Sequence, residues 1–396
     1  MTASPMTALP PTAPSATAPK PLAGTFLSVQ YLRGAAALIV MVFHIFSNRI
    51  AAPFAGTSGV ALGMWGVDIF FVLSGFIMWR TAGEGVPAGR FLLRRAVRIL
   101  PLYWLFLTLW IGLRLAVPDG LGNADVTPST LVFSYLLIPH HHAVFGAVWP
   151  ILTVGWTLQL ELFFYAVFAA LLCAVPPGPR LPALMAALAA LAGLGYLLAP
   201  GNPVGLTYTS PLLLEFLGGI ALGAMAGRLS AMPRSLALAL VAGGIAAAAL
   251  LAGYGENDAL RPLALGLPAV AVVAGLLGCE RALREKPNRT LLALGDASYA
   301  LYLAHPLAIA AAAVVWRRLG LPVTGDAALA FVPAAALVAV AVALVAHRAV
   351  ERPLLRLMPE RRKRSGFASA QTALRAPRPA DPFSSPGAAG ARRQTP

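Results

Sequence analysis

Ten apolar stretches follow one another along this chain, near 31–48, 59–79, 99–117, 156–175, 183–199, 210–228, 235–253, 262–279, 291–315 and 327–347. Each is close to the roughly 20 residues that an α-helix needs to cross a bilayer. Their succession predicts an all-α fold, a polytopic integral membrane protein with about ten transmembrane helices. Composition agrees: of 396 residues 58% are hydrophobic and only 11% charged, against about 25% charged in soluble domains. That excludes a soluble enzyme, a disordered regulator and a secreted disulfide scaffold. Cys173 and Cys279 both lie in apolar runs and have no metal-ligand spacing.

The 30 Lys and Arg against 15 Asp and Glu give a net charge of +15, a balance that in a soluble chain would suggest nucleic acid. Here it reads as topology, because cytoplasmic loops carry the excess of Lys and Arg. With ten spans and both termini in the cytoplasm, that side collects Arg80, Arg90, Arg94, Arg95 and Arg98, then Arg228 and Arg234, then Arg281, Arg284, Lys286 and Arg289. Arg348, Arg352, Arg356 and the run Arg361 to Arg364 follow. Arg49, Arg261 and the pair Arg317-Arg318 are exceptions on the outer side. From Arg348 onward there are 11 basic and 3 acidic residues, so over half of the net charge belongs to the C-terminal tail. Anionic lipid is the expected local partner, and no nucleic acid is expected.

Residues 1–25, rich in Pro, Ala, Thr and Ser, lack the charged start and apolar core of a secretion signal and predict a disordered N-terminal tail. Residues 26–353 form the membrane domain, and 354–396 predict a basic, largely disordered cytoplasmic tail. Thr130 to Pro150, broken by prolines and histidines, is too short for a span and predicts a re-entrant or interfacial piece. Its adjacent His140, His141 and His142 cannot all face one ion, so a solvated loop and no metal site are expected. Gly219, Gly223 and Gly227 have the spacing of close helix packing.

An ionisable side chain inside the bilayer costs on the order of several kcal/mol and marks function by default. Arg33 and His44, eleven positions apart, point to nearly the same face of the first span, ~16 Å from one another. Singly, Arg33 fits a snorkelling side chain and His44 a satisfied buried imidazole; together they point to a polar path. Asp68 is the sole carboxylate of its apolar run, and Ser74 and Gly75 are small enough for a helix or a ligand to approach. Arg95 and Arg98, one turn apart, fit either anionic lipid or a phosphate clamp. Thr157, Glu161 and Tyr165 recur every four residues and share a face. Glu161 calls for a partner there, His44 or an arginine. Ser298, Tyr302 and His305 share another face, and Pro306 predicts a kink or interruption.

In order along the chain these motifs resemble the membrane-bound acyltransferase-3 family of bacterial O-acyltransferases. Arg33 and His44 match its Arg-x10-His motif. Phe70-Phe71-Val72-Leu73-Ser74-Gly75-Phe76 is similar to its second-helix signature, and Arg94 to Tyr103 to its basic loop and third helix. Leu294 to Pro306 resembles its Gly-x-x-Ser-Tyr-x-x-Tyr-Leu-x-His stretch, and Glu351-Arg352-Pro353 its closing Glu-Arg-Pro. The matches run over residues 27 to 353. Two positions depart: Val29-Gln30-Tyr31 lacks the usual acidic residue before Leu-Arg-Gly, and Trp156 to Leu162 keeps one carboxylate of the usual pair. The Trp-Thr-Leu…Glu-x-Phe-Phe-Tyr form looks like the exopolysaccharide-production branch.

The resemblance implies a multi-pass enzyme of the bacterial cytoplasmic (inner) membrane that moves an acetyl or other short acyl group to a carbohydrate hydroxyl, lipid-linked or polymeric. Acyl-CoA (acetyl-CoA) is the implied cosubstrate, with no tightly bound cofactor. His44 is the expected general base, Glu161 its orienting or proton-sharing partner, and Arg33 a group on the thioester or the developing oxyanion. Arg95 and Arg98 would hold CoA phosphates. Asp68, Ser74, Ser298, Tyr302 and His305 are expected to bind substrate or relay protons. Direct transfer and an acyl-histidine intermediate both fit. The alternative is a polysaccharide or lipid-sugar transporter using the same buried His, Glu and Arg for relay.

Overall fold

In a computed structural model, residues 26–54, 57–81, 87–117 and 126–357 are described. The predicted N-terminal tail and all but the first residues of the predicted C-terminal tail lie outside them. Apart from one isolated bridge, the described residues contain helices and no strand. In order these are α1 (Leu27–Phe46), α2 (Thr57–Thr81), α3 (Ala88–Ala116), α4 (Pro128–Leu136), α5 (Trp156–Ala174), α6 (Arg180–Leu198), α7 (Pro203–Tyr208) and α8 (Leu213–Ala224). They continue as α9 (Ala226–Ser230), α10 (Arg234–Leu251), α11 (Leu267–Gly278), α12 (Glu280–Glu285), α13 (Arg289–Asp296), α14 (Ser298–Arg318), α15 (Phe331–Ala346) and α16 (Arg352–Arg356).

Nine helices among the described residues are long and apolar enough to cross a membrane, one fewer than the ten expected. The run predicted at 262–279 is a shorter apolar helix, Pro262–Gly278, whose first turn is a π-turn beginning at Pro262. The run at 291–315 is broken at Ala297 between α13 and α14, and that at 210–228 is divided between α8 and the start of α9. Helix α16 extends to Arg356, so the predicted tail begins with a helical turn. Within α14 the helix continues through Pro306 rather than being interrupted.

The most enclosed spans are α2 and α14. Helix α2 packs most extensively on α8 and α1, and α14 on α15 and α1. The α2–α8 contact works because glycines face backbone across it: a Cβ on Gly75 would strike the Phe216 carbonyl, and one on Gly219 the Val72 carbonyl. Small residues at such crossings let two backbones approach closely. Gly223 of α8 lies against Trp79 of α2, whereas Gly227 faces open space and has no part in the contact.

The start of α1 is held from a distance. The first N–H groups of a helix have no partner within it; here the carboxylate of Glu280 accepts from Leu27 N and Ser28 N, each at 2.9 Å, and from Ser28 Oγ at 2.7 Å. Arg284 pairs with the same carboxylate at 2.8 Å.

The broken stretch after α3 is short helix α4 followed by a hairpin-like turn. A capping box at Thr127 and Thr130 starts α4, and Leu137, with φ 53°, ends it in the left-handed region. His141 bridges to Val148, and backbone alternation turns its two neighbours the other way. His140 and His142 are therefore buried and only His141 is exposed, which corrects the expectation of a solvated histidine loop. Burial, with His140 and Arg114 nearby, pushes the His142 imidazole below its ordinary pKa.

Candidate active site

Local helix periodicity brings side chains of five helices to a common cavity. Thr157, Glu161 and Tyr165 of α5 all line it, as do Ser298, Tyr299 and Tyr302 of α14. Helix α2 contributes Ser74 with Val67, Phe70 and Phe71, α3 contributes Arg95 and Arg98, and α1 adds Arg33. The cavity measures about 90 Å³. Three guanidinium groups mark its basic end. Helix register puts Val67, Phe70, Thr157 and Tyr302 toward the other, inner end.

At the basic end Arg33 donates to Gln30 Oε1 at 3.1 Å, and Gln30 in turn donates to Asp296 Oδ1 at 2.9 Å. Arg33 also lies within electrostatic range of Arg98, Glu351 and Glu161. Glu351, from the closing Glu-Arg-Pro, is buried and pairs with His347 at 2.7 Å. Arg95 donates to Thr81 Oγ1 at 3.2 Å and lies over the rings of Phe91 and Tyr165, while its Nε is buried without a protein partner. An unsatisfied buried donor beside two further guanidiniums is suited to an anionic group.

Midway, Ser74 donates to Glu161 Oε1 at 2.9 Å, and the Tyr165 hydroxyl bonds to the same oxygen. Glu161 is thus held by Ser74 and Tyr165, not by the His44 or arginine expected from sequence. His44 instead donates from Nδ1 to the Val40 carbonyl at 2.9 Å, and its ring lies 4.7 Å from that of His305. His305 donates from Nδ1 to the Leu301 carbonyl at 3.1 Å. Carbonyls only accept, so each Nδ1 carries the proton and each neutral ring offers Nε2 as its base. The Nε2 of His305 is buried with no protein partner. This histidine pair adjoins the inner end of the cavity: the Tyr302 ring is 6.0 Å from His305, and its hydroxyl meets Thr157 Oγ1 at 2.8 Å and the Val154 carbonyl at 3.0 Å.

Asp68 is placed differently from its expected role in substrate binding or relay. It forms a two-pronged pair with Arg261, at 2.9 and 3.0 Å, with 0% and 7% of the side chains exposed. Arg261, counted from sequence as an outer exception to the charge bias, is drawn inward by that carboxylate and stacks over Trp156 at 5.9 Å. Close by, both carboxyl oxygens of buried Glu215 lack a hydrogen-bond partner, within electrostatic range of Asp68 and Arg261.

Sequence reasoning passed over Glu215, although it is the sole acidic residue of the candidate span Pro203–Ala224, the same signal that singled out Asp68. It also passed over Tyr299, which lines the cavity and donates to the Ile99 carbonyl at 2.8 Å. Among the described residues no cluster of three or more His, Cys, Asp or Glu is placed to hold a metal ion.

Comparison with known proteins bears on what this cavity does. A family model described as "Acyltransferase domain" matches residues 26–348. The exopolysaccharide production protein ExoZ of Rhizobium meliloti is 37% identical over 314 residues, covering 78% of this chain and 94% of that protein. Acyltransferase MdmB of Streptomyces mycarofaciens is 29% identical over 393 residues, covering 85% of this chain and 93% of that protein. No solved structure matches the chain significantly. Between an enzyme and a transporter, the family decides for the enzyme. Apolar helices of spanning length, with bacterial relatives, make it a multi-pass protein of the inner membrane. With the match running from the start of α1 to the end of α15, the chain belongs to the acyltransferase-3 family and is a membrane-bound acyltransferase.

Proposed function

We propose that the enzyme carries an acetyl or other short acyl group from cytoplasmic acyl-CoA to a hydroxyl of a carbohydrate, an exopolysaccharide or a lipid-linked oligosaccharide. The observation that carries the donor half is the convergence of Arg33, Arg95 and Arg98 on one end of a cavity whose other end adjoins two histidines. Likeness to an exopolysaccharide production protein supports the acceptor half. In this reading both termini are cytoplasmic, which puts the basic end of the cavity on the side where acyl-CoA is found.

Arg95 and Arg98 hold the CoA phosphates by forked donors. The thioester extends inward from there, and Arg33, at the same basic end, helps to position it by holding the CoA portion. His44 takes the hydroxyl proton on Nε2 as the acceptor oxygen attacks the acyl carbon. The new C–O bond forms as the C–S bond breaks, and the departing CoA thiolate takes the proton from His44. Glu161, held by Ser74 and Tyr165, lines the donor path. His305 stands behind His44, with Ser298 and Tyr302 on the cavity wall.

Purified protein in nanodiscs, given labelled acetyl-CoA and a panel of lipid-linked sugars, tests the reading. Wild type should transfer label, and His44→Ala should bind CoA normally but transfer none. Wild type inert toward every sugar, or His44→Ala that still supports polymer acylation in cells, overturns it.

A further inference from the structure

We infer that Gln30 and Asp296 are positioning residues for the acyl donor: the Gln30 amide, itself fixed by Asp296, holds one nitrogen of Arg33 and leaves the rest of the guanidinium to an anion in the cavity. The inference rests on the acyl-CoA reading above and adds two residues that work through Arg33.

Backbone contact brings the two together. Helix α13 lies directly on α1: a Cβ on Gly295 would strike the Gln30 carbonyl, and one on Gly34 would come within 3.1 Å of Gly295 N. At the other end of α13 the Asn288 N–H donates to the Tyr31 hydroxyl at 2.7 Å. That register carries Asp296, the last residue of α13, to the Gln30 side chain. An arginine only donates and a carboxylate only accepts. The amide between them therefore has one orientation, with Oε1 toward Arg33 at 3.1 Å and Nε2 toward Asp296 at 2.9 Å.

The tie answers a physical need. Arg33 lines the cavity with Arg95 and Arg98, and Arg98 is near enough to repel it. A long side chain left free would swing away from that repulsion and lose conformational entropy when a ligand drew it back. The bond to Gln30 is the one hydrogen bond Arg33 makes among the described residues, and it uses a single nitrogen. Nε and Nη2 remain for phosphate oxygens. Among the described residues no carboxylate forms an ion pair with Arg33. The amide keeps Asp296 one link away, and the guanidinium retains its charge for the donor.

The test compares wild type, Gln30→Met, Asp296→Ala and the exchange of Gln30→Glu with Asp296→Asn. It reads Kd for labelled CoA and KM and kcat for acetyl-CoA in nanodiscs, with the melting temperature in detergent beside them. Gln30→Met keeps the volume and removes a hydrogen bond to a charged group, so Kd and KM should rise by about tenfold while kcat stays within about threefold. Asp296→Ala, at an exposed position, should move Kd and KM the same way by about threefold, and serves if Gln30→Met does not fold. In the exchanged pair the new carboxylate accepts from Arg33 and from the new amide, with the summed charge unchanged, so affinity should return to within about threefold of wild type. The backbone contact of α13 on α1 survives every substitution, and the melting temperature should hold. CoA affinity unmoved in the folded single variants, or an exchanged pair as weak as Gln30→Met, overturns the positioning role alone. A melting temperature that falls in step with affinity marks the tie as structural and overturns it too. A wild type that binds no CoA overturns the donor reading, and the role of Gln30 with it.

Discussion

The buried group of Asp68, Arg261 and Glu215 makes a quantitative prediction, because it holds one cation between two carboxyl groups. Asp68 is the established partner, with two short bonds to a guanidinium that is 7% exposed. Replacing it by Asn removes charge-assisted hydrogen bonds worth about 1.5–3 kcal/mol. The guanidinium is not stranded, however, since Glu215 lies within electrostatic range with both oxygens unengaged. Glu215→Gln alone leaves the Asp68–Arg261 pair intact and should cost under about 1 kcal/mol. The double variant leaves Arg261 buried with neither carboxylate, which costs about 3–5 kcal/mol. Taking the middle of each range, the two substitutions should therefore be coupled by about 1 kcal/mol in a double-mutant cycle. Reversible unfolding by titrated SDS in mixed micelles, followed by tryptophan fluorescence, measures all four corners. Additivity within about 0.5 kcal/mol would falsify the view that Glu215 is the reserve counter-ion.

Three further outcomes are expected. Arg95→Ala and Arg98→Ala should each raise KM for acyl-CoA by roughly 10–100-fold, the worth of lost charged hydrogen bonds, as read by steady-state transfer; unchanged KM in both removes them from the phosphate site. Ser74→Ala deprives Glu161 of one donor and should lower kcat/KM by about tenfold, with little change in the SDS midpoint. Gly219→Leu drives a side chain into the Val72 carbonyl and should destabilise by about 1–3 kcal/mol or more. Gly227→Leu, in open space, should leave the melting temperature in detergent close to that of wild type.

What the sequence made legible was whatever depends on a single helix. Thr157, Glu161 and Tyr165 share a face by spacing alone, and the cavity takes all three; Ser298 and Tyr302 follow the same rule, with His305 a turn further on beside His44. Partners on different helices were not legible. Arg261 stands 193 positions from Asp68, and no local pattern links them, so one was read as a relay group and the other as an outer loop charge. Glu161 looked as if it needed a histidine or an arginine because the Ser74 hydroxyl, on another helix, was not foreseen as its donor. The histidine run was misread for a different reason: a short bridge between His141 and Val148 set an alternation that neither hydropathy nor composition encodes.

The tether from Glu280 to the start of α1 bears on how the protein is made. Helix α1 carries Arg33 and His44 and is synthesised before α12, yet its leading N–H groups wait for a carboxylate 253 positions downstream. Until α12 has been synthesised and docked, the positive end of the α1 dipole has no such anion to meet. An earlier helix is therefore fixed by a later one, and the arginine and histidine on α1 reach their final setting only once α12 has arrived.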